Sequence, residues 1–236
     1  MSTDHSADGP RGDWAYVSIV SVLPGLSLDV RLALLVQFLL FEGGAVVLSL
    51  WYGRLGVLPA ATAAILVTTA GSGLMLALSQ RIRALDPPSR YRELLFESSI
   101  DVLLGVVAFL LLLTYLLVEP WGPSAGFLER LIGEPLPVPM VFFALVILWD
   151  LCYRIGTGWW AGLTGLWRSL RLRDTIGTRA RTAYARADAL TVVFASLQLL
   201  LVPFLMADRL LAIALVGHVV AVLLVAAASI VVLRVD

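Results

Sequence analysis

Four ionisable side chains fall inside long apolar stretches of the chain: Glu42, Asp150, Arg154 and His218. At membrane depth such a group is disfavoured by about 3 kcal/mol, so it persists where it is paired or handles charge. A carboxylate, a guanidinium and an imidazole are the ingredients of a path for a proton, an ion or a small polar solute. Counted inward at about 1.5 Å per residue from Tyr52, Pro139 and Leu210, Glu42, Asp150 and His218 fall at roughly 12–17 Å, one layer near the midplane. Arg154 lies one turn deeper on the face of Asp150, and Gln198, Thr68 and Thr69 fall near the same layer.

Each of these residues also has a plainer role. Asp150 and Arg154 are spaced i,i+4 and can neutralise one another along a single helix face. His218, alone in an aliphatic run, fits a buried hydrogen-bonding histidine. Glu42 is harder to dismiss, because no basic residue lies within a turn of it and Gly43-Gly44 follow. The expectation is that Glu42, Asp150, Arg154, Gln198 and His218 converge across helices as a midplane cluster.

The elements that must position them are membrane helices. Of the 236 residues 60% are hydrophobic and only 14% charged, against about 25% in a typical soluble domain. Mean hydropathy is +0.93. Six apolar runs, roughly 32–52, 57–80, 102–118, 139–162, 189–207 and 210–233, approach the ~17–25 residues that cross a ~30 Å core. None alternates as a barrel strand does. The fold class expected is all-α, a polytopic bundle of about six spans. Residues 1–26 are expected to be a tail with a short interfacial segment, and residues 27–236 the transmembrane domain.

Every basic side chain is an arginine, and their placement predicts orientation. Arg81, Arg83, Arg90 and Arg92 follow the second run; Arg168, Arg171, Arg173, Arg179, Arg181 and Arg186 follow the fourth. Positive loops stay cytoplasmic, which predicts a multi-pass protein of the cell membrane with both termini inside. Arg168, Arg171, Arg173, Arg179 and Arg181 are expected to meet anionic headgroups there. Asp101 and Asp188 read as caps where the third and fifth helices start. In the 119–139 connection, Ser124 reads as the cap of a short amphipathic helix reaching Ile132. Gly158 and Gly162 form a small-xxx-small pair for close packing on a neighbouring helix or a second subunit.

Several chemistries are excluded. Without lysine there is no retinal or pyridoxal Schiff base and no P-loop amine. The single cysteine, Cys152, cannot form an intrachain disulfide, and His5 and His218 cannot pair as haem ligands. No metal or cofactor motif is present, and a net charge of zero gives no footprint for nucleic acid. An intramembrane enzyme has the weakest support, because no nucleophile–base pair is evident. Two readings stand: a channel or carrier built on the midplane cluster, and a non-transporting scaffold or lipid-binding subunit.

Overall fold

The computed structural model describes residues 29–117 and 126–234. The 1–26 tail with its interfacial segment, and Ser124, lie outside them. Among the described residues the chain is helical without strands: α1 (Val30–Trp51), α2 (Leu58–Arg83), α3 (Ser89–Arg92), α4 (Ile100–Leu117), α5 (Phe127–Ile132), α6 (Val138–Arg171), α7 (Thr178–Leu197), α8 (Val202–Leu205) and α9 (Arg209–Arg234). Six helical stretches are long and apolar enough to cross a membrane: Val30–Trp51, Leu55–Arg83, Ser89–Leu117, Val138–Arg171, Thr178–Leu205 and Arg209–Arg234. Outward faces are strongly apolar, with Leu40 70% exposed and Ile213 68%. In water so continuous an apolar surface would drive association; a lipid surround removes that pressure.

α6 is the axis of the bundle. Its 34 residues span ~50 Å, well beyond a ~30 Å hydrocarbon core. α4 packs most closely against it, and α9, α2, α7 and α1 also touch it. The α4 contact is made by glycines. A Cβ on Gly156 would lie 2.5 Å from the Gly105 backbone nitrogen, and one on Gly105 would lie 2.9 Å from the Cα of Tyr153. Only bare backbone permits that approach. Gly158 and Gly162 serve the same helix on another side, Gly158 against Phe194 of α7 and Gly162 against Val225 and Thr191. Of the two partners open to this pair, a neighbouring helix or a second subunit, the contacts within the chain are with neighbouring helices.

Two segments depart from the runs read in the sequence. The third span begins before α4, with α3 and a π-helical turn at Glu93–Glu97. A π turn releases a backbone carbonyl, and here Leu94 O accepts from Trp160 Nε1 at 2.8 Å and from Ser98 Oγ at 2.7 Å. The fifth span starts at Thr178, ten residues before Asp188, so Asp188 sits inside α7 and is no cap. Asp101 does lie in the first turn of α4. The connection before α6 carries α5, whose cap position is Gly126; Gly126 N donates to Glu129 Oε2 at 2.9 Å.

Candidate functional site

The midplane residues divide into separate partnerships. On α1, Glu42 Oε1 accepts from Thr62 Oγ1 of α2 at 2.6 Å, while Oε2 is buried without a partner among the described residues. On α6, Arg154 is fully buried and donates to both oxygens of Asp150, from Nη2 at 2.7 Å and Nε at 3.2 Å. This is the i,i+4 neutralisation open to the pair from its spacing. Arg154 Nη1 also points to Met75 Sδ of α2, 3.8 Å away. Gln198 is buried in the 3-10 turn after α7, its Oε1 unpartnered among the described residues. His218 of α9 accepts, at Nδ1, the indole proton of Trp159 on α6 at 2.6 Å. Among the described residues, neither Arg154 nor His218 bonds Glu42. A single cluster is the expectation from the sequence; the bonds seen are Glu42 with Thr62 between α1 and α2, Asp150 with Arg154 within α6, and His218 with Trp159 between α9 and α6.

A larger feature than any of these pairs is a cavity of about 490 Å³ beside α6. α1 and α2 contribute Ala45, Leu48, Ala60 and Ala64 to its wall, and α4 contributes Leu104 and Leu112. Leu215 and His218 come from α9, and α6 lines it from Met140 to Trp159. Among the described residues no charged side chain borders it. Polar atoms are few: Ser49, Cys152, Trp159 and His218. The volume lies within the ~300–1,000 Å³ typical of small-molecule sites. Along one edge run Val107 and Leu111 of α4, 46% and 68% exposed. Leu103 and Leu110 continue their exposed stripe without lining the cavity, so this edge gives onto the outer surface of the bundle.

α5 roofs the cavity. Leu128 and Ile132 are buried against Val57 and Met140, and Phe127 and Leu131 join the lining. A polar latch holds the roof. Asp208 accepts from Tyr115 Oη of α4 at 2.8 and 2.9 Å and from Arg130 Nη2 of α5 at 3.1 Å. The same carboxylate caps α9, accepting from Leu211 N at 3.1 Å. Arg54 Nη2 donates to Glu134 O at 2.7 Å and ties the α1–α2 turn to the loop after α5.

The arginine-rich end holds a polar core that sequence reasoning missed. Arg168 is 0% exposed on α6 and donates through Nη2 to Asp188 Oδ2 of α7 at 2.7 Å. Its Nη1 donates to Tyr91 Oη at 3.2 Å, and its guanidinium lies 4.4 Å from the Tyr184 ring centroid. Ser229 Oγ of α9 donates to Asp188 Oδ2 at 2.7 Å and meets Ser169 Oγ at 2.8 Å. Arg168 was expected to contact headgroups; its burial and these bonds remove it from that set. Arg171 and Arg179 are exposed. Arg173 and Arg181 are half-buried, with Arg181 Nε donating to Ile176 O at 3.0 Å and Nη2 to Arg173 O at 3.0 Å.

No three or more histidine, cysteine or acidic side chains gather as a metal site among the described residues. No curated protein matches the chain, and no solved structure does. One family does, over residues 11–229, almost the whole chain. The protein belongs to that family, a family of unknown function (DUF7530).

Proposed function

We propose that the protein is a multi-pass membrane protein that holds one lipophilic molecule in the cavity roofed by α5. The observation that carries this reading is a space of about 490 Å³ bordered, among the described residues, by no charged side chain and edged by exposed Val107 and Leu111. Water gains little in such a space, whereas an apolar chain entering from the bilayer gains dispersion contacts along its length. The ion pairs lie outside the lining, which supports a bundle-holding role for them. Of the two readings open from the sequence, this is the lipid-binding one. Both termini are proposed to be cytoplasmic, with Arg171 and Arg179 facing anionic headgroups of the cell membrane.

Native mass spectrometry of the protein, released from its own membranes in mild detergent, tests the proposal. An apolar adduct near one equivalent is expected, and Ala108→Phe or Ala144→Phe, which fill the cavity, should remove it. An adduct of unchanged occupancy in both variants contradicts the reading.

A second reading, transport of a proton, ion or small polar solute, is favoured by one observation: Glu42 Oε2 is buried at the α1–α2 contact without a partner among the described residues. A flux assay in liposomes against a panel of ions tests it. Flux that disappears in Glu42→Gln supports transport, and flux unaltered by that substitution opposes it.

A further inference from the structure

We infer that the occupant is a neutral lipophile bearing two hydrogen-bonding groups, an acceptor received deep in the cavity by His218 and a second group met near the roof by Ser49. This rests on the cavity-binding reading and specifies its ligand. His218 Nδ1 accepts the indole proton of Trp159, and an indole nitrogen can only donate. Nδ1 therefore carries a lone pair, and the proton of the neutral ring is on Nε2. That N–H has no partner among the described residues, on a side chain that lines the cavity. It suits a carbonyl or ether oxygen. Trp159 acts as a positioning residue by fixing the tautomer.

Ser49 supplies the second contact. It is 1% exposed, lines the cavity, and its Oγ has no hydrogen-bond partner among the described residues. A buried hydroxyl left unpaired in apolar surroundings is disfavoured, by about 1–3 kcal/mol in mutational series, and a ligand oxygen or hydroxyl there would satisfy it. The two contacts lie at different depths. Ser49 is two residues from the end of α1, and His218 is nine residues into α9 from Arg209, so they are separated by roughly 10 Å along the bundle axis. Ordinary phospholipid esters lie at the membrane boundary, above the level of His218. The absence of a charged lining residue among those described argues against a fatty-acid carboxylate or an amine, whose charge would be unpaired there.

Displacement of a photoactivatable hydrocarbon from the purified protein tests the inference. The competitors are matched in chain length: a hydrocarbon, a mid-chain ketone, and a ketone with a terminal hydroxyl about 10 Å away, the depth difference found above. In the native protein the ketone should displace the probe at about tenfold lower concentration than the hydrocarbon, the worth of one hydrogen bond in a dry site. The added hydroxyl should lower that concentration further. His218→Leu should erase the ketone advantage and leave hydrocarbon displacement intact. His218→Gln should retain it, because the amide oxygen accepts from Trp159 while the amide nitrogen donates to the ligand. Ser49→Ala should remove only the hydroxyl's contribution. A ketone no better than hydrocarbon in the native protein, or an advantage that survives in His218→Leu, overturns the inference and leaves the cavity reading standing. Failure of every competitor, hydrocarbon included, overturns both.

Discussion

Arg168 and Asp188 meet inside the bundle, their side chains 0% and 9% exposed, and the surrounding groups carry the consequence. Tyr91, Tyr184, Ser169 and Ser229 join the pair and so connect α3, α6, α7 and α9. Removing one partner strands a buried charge, an effect of about 3–5 kcal/mol. Arg168→Leu is therefore expected to lower the thermal midpoint in detergent sharply. The double substitution Arg168→Leu with Asp188→Leu should recover part of the loss, because no lone charge is left. A single variant as stable as the native protein would show that the pair does not hold the bundle. Arg168 was read from the sequence as a loop residue for a physical reason. Hydropathy marks where the apolar run ends, and α6 continues beyond it with Arg168 and Ser169 turned inward to protein. The i,i+4 pairing of Asp150 with Arg154 was legible because it lies within one helix. The Trp159–His218 bond joins residues 59 apart in the chain, and no local pattern announces such a bond.

At the scale of elements, the α4–α6 contact depends on two glycines. Gly156→Ala places a methyl against the Gly105 backbone and must push the helices apart; overpacking of this kind is worth about 1–3 kcal/mol. Gly43→Ala, with nothing within 4 Å of the new methyl, should be tolerated. Equal thermal midpoints for the two variants would contradict this geometry. The roof gives a second prediction. Tyr115→Phe and Arg130→Ala each remove a hydrogen bond to the Asp208 carboxylate, and such charged bonds are worth about 1.5–3 kcal/mol. Both should loosen α5 and raise several-fold the rate at which a membrane-permeant maleimide alkylates Cys152, which is buried in the cavity wall. An unchanged rate in both would mean that the latch does not control access. The six spans were legible because each is a continuous apolar run. The roof was legible only as a short amphipathic helix, since what it covers is assembled from distant segments.

At the scale of the molecule, charge placement makes orientation testable. With Cys152 replaced by alanine, a cysteine at exposed Glu134 should react with an impermeant maleimide added outside intact cells, and tags on the termini should stay protected. Labelling at that position only after permeabilisation would invert the bundle. Arg171→Gln with Arg179→Gln should weaken retention of anionic lipid, at about 1 kcal/mol per arginine near the leaflet surface. Retention equal to that of the native protein would leave these arginines with topology alone. The central claim is that a lipophile occupies the cavity, and mapping the sites labelled by an aliphatic diazirine in membranes tests it most directly. Cavity labelling should concentrate on Leu112, Leu148, Leu151 and Leu215 and fall in Ala144→Phe, while outward-facing Leu40 and Leu224 label equally in both proteins. Labelling confined to the outward-facing residues, and unchanged by the substitution, would contradict it.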